Sequence, residues 1–529
     1  MASILFLNFY LNRNETKPIV LKFKENNNAI IENDSIIKKE VKEHEYFEIK
    51  KKEFEEKYLS TVPKSHSSDY KKVQSLYPIL NVNPDYSAYS KYKIEEDENK
   101  HLNYDKTISK SISVEDANEL WLYNTEGNIN INVSNNNKIE LVAKINFNAN
   151  KKLKDIYIKH FDLNFIRKEE TIKVLNNIDY TTPKSLTGLY IGYKSDGVTT
   201  TSAYPKTKAS FKNGEEVKSC SIEIDYDLLI PANFALNLST ANGKIEISGK
   251  YGDLIMSLYN GDLKAEDFKD IDIFLHHSKA ELKSFNSAEL TMHKSKLSFN
   301  NCNKMQLTAS HSDLNGNKIN GKLNFDYCHK DSVDIGFVSI VEGTIDHSKF
   351  KAMFIDSADL YMHKTNLDFI RISKLSVEAE HSDIRLKDVG ELVLAEWTHK
   401  NNFIIEKAEH IMGYASHSDF YVKEVSASVY LNTKKGKFEL ESINEKAKII
   451  NLMSEHSTFL IKNNKNIKFN FNLELFKTDM FIGRYEGVMK HGEKEDHFLF
   501  TGKYNEEKHI PELKVKGFKG RVELNRNSN

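Results

Sequence analysis

The chain of 529 residues is poor in the residue types that mark several protein classes. Its 3 cysteines (Cys220, Cys302 and Cys328) are too few for a disulfide framework, and there is no CxxC pair to indicate a zinc site. With only 8 prolines and 22 glycines, it is not a collagen-like or Pro/Gly-rich low-complexity chain. It also lacks any run close to the roughly 18 apolar residues of a membrane-spanning helix. The length then fits two to four ordinary domains or one elongated repeat array.

Neither sign of charge is in excess. The sequence has 75 Lys and Arg against 76 Asp and Glu, a formal net charge of -1. Proteins that bind nucleic acid usually carry a clear excess of basic residues. We therefore expect no nucleic acid and no anionic membrane as a partner.

The N-terminus leaves the compartment open. Met1–Asn12 is apolar, but no Lys or Arg precedes it and no small-residue cleavage site follows, so there is no clear signal peptide. The segment fits an ordinary buried strand or a shortened export signal equally well.

Composition divides the chain into four parts. Residues 1–110 are rich in Lys, Glu, Asn and Tyr, which predicts a loosely ordered extension with a short charged helix at Glu40–Lys57. Apolar and polar residues alternate over 119–147, which indicates half-buried strands, so 111–220 is interpreted as a strand-rich cap. Residues 221–495 carry a regular repeat, and 496–529 are expected to form the closing C-terminal coil or cap.

The repeat is defined by one anchor residue in each of fourteen copies. Successive anchors lie 17 to 21 residues apart. They are Asn242, Asn260, His277, Lys294, His311, His329, His347, Lys364, His381, His399, His417, Lys435, His456 and Lys477.

Each copy has the pattern of two short strands joined by a corner. Apolar residues usually stand two, four and six positions before the anchor, and Gly, Ser or Thr usually follows it. The next apolar residue comes three positions after the anchor, except at Val333 and Phe403, where it comes one later and predicts a bulge at the corner. Helical repeats need roughly 30 or more residues per unit. The sequence therefore predicts an all-β fold, a single-chain β-solenoid of about 14 or more coils, stacked ~4.8 Å apart.

Two segments resemble a known family. Residues 221–265 contain an apolar strand that ends at Ile230-Pro231, followed by the strand–turn–strand units at Asn242-Gly243 and Asn260-Gly261. Together with residues 110–132, this is similar to the bacterial β-strand-repeat "putative adhesin" family. The resemblance implies a β-solenoid, a secreted or cell-envelope location and no established catalytic residue. Where that family has Asn-Gly or Ser-Gly corners, this chain has His-Ser and His-Lys.

Histidine is concentrated at the anchors. Because equivalent positions stack in a solenoid, two runs of three successive coils should bring imidazoles about 5 Å apart. Three interpretations stay open: a structural corner ladder, a metal site to which Asp346 and Glu380 could add oxygen ligands, and a pH-responsive column that loses stability below about pH 6. The candidate metal ligands are His311, His329, His347, His381, His399 and His417.

No motif points to catalysis. The sequence has no GxSxG, Walker A, HExxH or GxGxxG pattern, so we expect no catalytic residue and no cofactor. Carboxylates two residues apart, Asp270/Asp272 and Glu493/Glu495, keep a polysaccharide-active solenoid enzyme as the alternative. The favoured interpretation is a non-catalytic scaffold that binds a surface polysaccharide or a partner protein.

Overall fold

The structure is a computed structural model. It describes residues 102–149, 161–176, 178–181, 190–194, 197–201, 208–211, 216–217, 221–394, 398–463, 468–483, 488–491, 496–502 and 510–526. The predicted extension up to residue 101, Cys220, and the acidic pair Glu493/Glu495 lie outside these ranges.

The first twelve strands form the N-terminal part. They are β1 (Leu102–Ser113), β2 (Glu119–Glu126), β3 (Ile129–Ser134), β4 (Lys138–Ala149), β5 (Leu163–Lys168), β6 (Thr171–Asn176), β7 (Ile178–Thr181), β8 (Tyr190–Lys194), β9 (Gly197–Thr201), β10 (Lys208–Phe211), β11 (Glu216–Val217) and β12 (Ser221–Pro231). Strands β2 and β3 pair in parallel with the first coil of the repeat, whereas β4 runs antiparallel to both β1 and β12. The antiparallel strands end the parallel stack on this side.

The repeat region contributes the parallel stack. Its strands are β13 (Ala235–Lys250), β14 (Leu254–Tyr259), β15 (Gly261–Asp267), β16 (Asp270–His276), β17 (Lys279–Ser284), β18 (Ser287–His293), β19 (Lys296–Ser310), β20 (Asp313–His329), β21 (Ser332–Asp346), β22 (Lys349–His363), β23 (Asn366–Glu380), β24 (Asp383–Leu394), β25 (Asn402–Ser416), β26 (Asp419–Lys434), β27 (Lys437–Ile443), β28 (Ile449–Glu455) and β29 (Thr458–Asn463). Each pairs in parallel with the strand one coil away. The predicted all-β β-solenoid is confirmed.

The burial pattern of β22 shows the path of one coil. Phe350 and Ala352 point inward, then two outward residues precede Ile355, and two more precede Ala358. In a straight strand inward residues alternate strictly, so each outward pair marks a bend. With the corner that follows His363, these two bends give the coil three sides.

The third bend is a corner in the left-handed backbone region. Fourteen non-glycine residues of the repeat have φ between 47° and 58° there. They are Asn260, His277, Lys294, His311, Lys330, His347, Lys364, His381, Lys400, His417, Lys435, His456, Lys477 and Lys519. In the first coil the positive φ belongs to Gly243 rather than to the predicted anchor Asn242.

Two further predicted anchors are wrong by one residue. Lys330 and Lys400, and not His329 and His399, hold the corner conformation. Val333 and Phe403 then stand three residues after the corner, as in the other coils. In the Lys330 coil the extra residue lies in the strand before the corner, where the register shifts between Phe325 and Cys328. The bulge predicted at this corner is therefore located in β20.

Stacked columns of apolar side chains fill the interior. One column places an aromatic residue three positions after the corner, and Phe403 and Phe420 lie parallel there with ring centroids 4.4 Å apart. Phe438 and Phe459 continue it, and all four are at most 1% exposed. Because equivalent residues repeat every coil, one sequence pattern fills the whole core.

The last coil in the chain is not the last in space. The remaining strands are β30 (Asn470–Phe476), β31 (Asp479–Ile482), β32 (Val488–His491), β33 (His497–Gly502), β34 (Glu512–Phe518) and β35 (Arg521–Arg526). Strand β34 pairs in parallel with β28 on one side and β30 on the other, and β35 lies between β29 and β31 in the same way. Strands β33 and β32 then add antiparallel to β30 and cover this end of the stack.

No helix in the described ranges combines the length and the apolar character needed to cross a bilayer.

Candidate functional site

A buried hydrogen-bond ladder supports the corner. The residue after the corner is Ser or Thr in nine of the fourteen coils, and where it is Ser its hydroxyl usually accepts the backbone N–H of the equivalent residue one coil earlier. Thus Ser278 N–H donates to Ser295 Oγ at 3.1 Å, and Ser295 N–H donates to Ser312 Oγ at 3.2 Å. Each hydroxyl also donates to the carbonyl two residues before it, as Ser295 does to His293. The ladder satisfies buried backbone groups that the corner would otherwise leave unpaired.

Two coils have a different side-chain oxygen in place of the hydroxyl. Asp331 accepts the N–H of Ser312 at 2.7 Å, and Asn401 accepts the N–H of Ser382 at 2.9 Å. In these two coils the predicted anchor stands one residue before the corner, so the sequence pattern did not identify Asp331 and Asn401 as residues of the ladder. Every residue of the ladder can offer a side-chain oxygen, except for the glycines Gly261, Gly436 and Gly520.

An imidazole column runs along the outside of the same corner. It consists of His276, His277, His293, His311, His329, His347, His363, His381, His399 and His417. Neighbouring coils place their ring centroids 4.9 to 6.3 Å apart. Most of these pairs meet edge to face, whereas His276 and His293 are stacked at 25°.

The imidazoles come alternately from two backbone positions. His311, His347, His381 and His417 occupy the corner itself, and His293, His329, His363 and His399 stand one residue before it. In the second group of coils the corner residue is lysine. The column therefore has a period of two coils, because corner residues from His277 to Lys435 alternate between His and Lys once Lys330 and Lys400 replace the predicted anchors His329 and His399.

The structure brings the six candidate ligands into two runs. His329 lies 5.9 Å from His311 and 5.4 Å from His347, measured between ring centroids. In the second run His399 lies 6.3 Å from His381 and 4.9 Å from His417.

One carboxylate joins part of the column. Asp346 accepts hydrogen bonds from Nδ1 of His329 at 2.8 Å, of His347 at 2.7 Å and of His363 at 2.8 Å. Burial alone would raise the pKa of Asp346, but the hydrogen bonds from His363, His329 and His347 outweigh it and lower that pKa. The carboxylate is 21% exposed, so the group is shielded but reachable from solvent.

Elsewhere the column has weaker acceptors. His311 Nδ1 lies 3.0 Å from the hydroxyl of Ser310, and His399 Nδ1 lies 2.6 Å from that of Ser416. Glu380 reaches His381 only at 3.4 Å.

Burial shifts several imidazoles toward the neutral form. Burial, with the charges of His277, His293 and Lys294, lowers the pKa of His276 to about 4. Burial is also the main cause of the lowered pKa values of His277, His293, His311 and His399.

Lysine ammonium groups alternate with these rings. Lys294, Lys330, Lys364, Lys400 and Lys435 occupy the corner in every second coil, and none forms an ion pair with another described residue. At ~4.8 Å per coil, successive ammonium groups are about 10 Å apart along the axis. The edge is thus a regular row of cationic and titratable groups.

Three clusters along this edge bring potential metal ligands together, with their donor atoms within 4.8 Å of one another. They are His276/His277/His293, His329/Asp346/His347 and His363/Glu380/His381. The candidates His311, His399 and His417 belong to none of them.

The acidic pair proposed for an enzyme lies on β16, away from the imidazole column. Asp270 accepts hydrogen bonds from Asn286 at 3.1 Å and from Ser287, and its pKa is lowered because these bonds and Lys269 outweigh the opposing effect of burial. Burial, with the charge of Glu289 in the next coil, raises the pKa of Asp272 to about 6.

No protein-family model and no curated protein matches the chain. Two solved structures are similar to it. One is a "putative cell adhesion protein" from Clostridium sporogenes, which is 8% identical in sequence. The match covers 80% of this chain and 100% of the Clostridium chain, with a TM-score of 0.15. The other is a "putative adhesin" from Parabacteroides distasonis, 11% identical, covering 68% and 95%, with a TM-score of 0.18. At such TM-scores neither similarity carries an argument about function.

Proposed function

We propose that the protein is a non-catalytic binding scaffold that presents its corner edge to a linear acidic polysaccharide at the cell envelope. The observation that supports this most is the row of five lysines on alternate coils, none of them ion-paired with another described residue. A polymer with regularly spaced carboxylates or sulfates could contact several of them at once. Such contacts are individually weak, but together they raise the overall affinity.

The solenoid supports this role mechanically. Each coil is hydrogen-bonded to its neighbours by continuous parallel pairing, so the edge is held straight without ligand. A preorganised surface loses less conformational entropy on binding.

A triple substitution tests the proposal. Asparagine already occupies the corner at Asn260 with φ 50°, so Lys330→Asn, Lys364→Asn and Lys400→Asn should preserve the fold. Binding to an immobilised acidic polysaccharide would be measured at low and physiological salt. We expect the combined variant to bind roughly tenfold more weakly, since each exposed charge contributes about 0.2–1 kcal/mol.

The matched control removes three lysines from another face. Lys279, Lys349 and Lys351 are exposed on β17 and β22, and their replacement by asparagine should leave binding within about twofold to threefold. Equal losses in both variants, or equal binding of a neutral polysaccharide, would refute the proposal. Binding of a protein ligand alone would replace it with the partner-protein alternative.

A further inference from the structure

The environment of Asp346 differs from that of every other described position in the imidazole column. Its Oδ1 lies 2.7 Å from Nδ1 of His347 and 2.8 Å from Nδ1 of His363, and its Oδ2 lies 2.8 Å from Nδ1 of His329. One carboxylate therefore faces three imidazole nitrogens that come from three successive coils.

The backbone holds this carboxylate in place. The carbonyl of Asp346 accepts the N–H of Lys330 at 3.1 Å and the hydroxyl of Ser348 at 2.7 Å. On the outer side the ring of Tyr327 lies parallel to that of His329, with centroids 6.1 Å apart. The donor groups are thus ordered by contacts that need no ligand.

Two imidazole nitrogens and one carboxylate oxygen form a donor set that suits a divalent transition metal. Zn²⁺ accepts imidazole nitrogen at ~2.0–2.1 Å and carboxylate oxygen at ~2.0–2.2 Å, so its ligand atoms lie roughly 3–3.5 Å apart. The donor atoms of His329, Asp346 and His347 already lie within 4.8 Å of one another. Side-chain movements of about an ångström would close the cluster around an ion.

We propose that His329, Asp346 and His347 bind one Zn²⁺, with the fourth coordination position left to water. Without the ion, Nδ1 of His329 and of His347 carries a proton and donates it to Asp346. On binding, each ring would give up this proton from Nδ1 and take one on Nε2, so the neutral ring ligates through Nδ1 with no net loss of a proton. This inference goes beyond the proposed polysaccharide scaffold and does not depend on it.

The cluster of His363, Glu380 and His381 is more loosely held, because Glu380 reaches Nδ1 of His381 only at 3.4 Å. Further along the second run, the contact of His399 Nδ1 is the hydroxyl of Ser416 rather than a carboxylate.

A substitution taken from the repeat itself tests the site. Ser310 and Ser416 occupy the same register as Asp346 in other coils, so Asp346→Ser should fold normally. Zn²⁺ alone would be titrated into the full, chelator-treated chain by calorimetry, and Tm would be followed with and without Zn²⁺. We expect one high-affinity ion per chain in the parent and an affinity at least about tenfold lower in Asp346→Ser.

Two further variants make the result specific. Glu380→Ser makes a comparable change two coils away, and it should bind Zn²⁺ as the parent does. Lys330→Asn removes an ammonium charge next to His329, so it should tighten Zn²⁺ binding while weakening polysaccharide binding. Equal weakening by Asp346→Ser and Glu380→Ser, or no saturable Zn²⁺ binding by the parent, would overturn the proposal.

Discussion

The side-chain Oδ1 of Asn401 accepts the backbone N–H of Ser382 at 2.9 Å, in the position where half of the coils place a serine hydroxyl. Its Nδ2 donates to the carbonyl of Ala379 at 2.7 Å. Asparagine thus reproduces the acceptor half of the serine pattern, whereas its donor reaches a carbonyl of the coil before rather than that of His399. The shared feature of Ser, Asp and Asn at this position is an oxygen that accepts a backbone N–H from the coil before.

Removing one hydroxyl from the ladder should destabilise the solenoid. Ser382 Oγ accepts the N–H of Thr365 at 3.1 Å and donates to the carbonyl of Glu380 at 3.0 Å. Ser382→Ala leaves the buried N–H of Thr365 without its acceptor, whereas the carbonyl of Glu380 keeps the N–H of Lys364 at 2.8 Å; the loss should cost about 1–3 kcal/mol. Ser382→Thr keeps the hydroxyl and should cost less, since Thr365 fills the equivalent position. The midpoint of urea unfolding measures the difference, and equal midpoints for the two variants would contradict the role of the ladder.

The aromatic column should tolerate a change of shape better than a loss of volume. Phe420 is 1% exposed and lies against Phe403. Phe420→Ala should cost about 3–5 kcal/mol because it leaves a cavity. Phe420→Leu should cost less than about 1.5 kcal/mol, because Leu314 and Leu367 occupy the same column in other coils. Thermal unfolding of the two variants provides the comparison, and similar losses would argue against close packing there.

Acidification should weaken the N-terminal end of the imidazole column. The pKa of His276 is about 6.5 when unfolded and about 4 when folded, so the unfolded chain binds more protons between these values. Stability should be complete above about pH 6.5 and fall as the pH drops, by roughly 3 kcal/mol at most. The charged groups facing His276 are His277, His293 and Lys294.

The variant for this test is His276→Tyr, because Tyr259 occupies the paired position one coil earlier. Between pH 7.5 and pH 5 the Tm of the parent should fall further than that of the variant. Parallel pH profiles would contradict the assignment.

Removing the charge of either of two neighbouring carboxylates, Asp270 or Asp272, should change the stability at neutral pH in opposite directions. The folded pKa of Asp272 is raised to about 6, so its charge destabilises the fold fully above that pH and not at all below about 3.8. Asp272→Asn should therefore raise Tm at pH 7.5 and have little effect near pH 3.5. The pKa of Asp270 is lowered, so Asp270→Asn should lower Tm at pH 7.5. A shift of the same sign in both variants would show that the two environments were misassigned.

Hydrogen exchange should reveal the order of the final coils. Strand β34 is paired on both sides, whereas β32 pairs only with β33 among the described strands. Amides of residues 512–518 should exchange as slowly as those of the central coils, and amides of 488–491 much faster. Fast exchange over 512–518 would place that coil at the edge instead.

The coil architecture could be predicted from the sequence because one short pattern repeats many times. The Leu375/Val377/Ala379 alternation and the corner residue at His381 recur, so each copy reinforces the interpretation of the others. The errors at His329 and His399 arose because a corner and the residue before it are both often histidine. Only backbone φ distinguishes Lys330 from His329 as the corner.

Other features depend on distances that the sequence does not contain. Asp346 was noted as a source of oxygen ligands, but its contact with His363, 17 residues away, requires the register of β21 and β22. The placement of β34 between β28 and β30 is equally invisible, because all three strands carry the same alternating pattern. Packing over the whole end of the stack decides whether β34 or β30 lies next to β28.

The interleaving of β34 and β35 bears on how the molecule assembles during translation. Earlier coils can wind as they leave the ribosome, each on the one made before it. Strands β30 and β31 cannot take their final place in this way, because the coil that separates them from β28 and β29 is synthesised later. The last turns cannot form until residues 512–526 have emerged. Until then, the edges of β28 and β29 are unpaired, and nascent chains can associate through them.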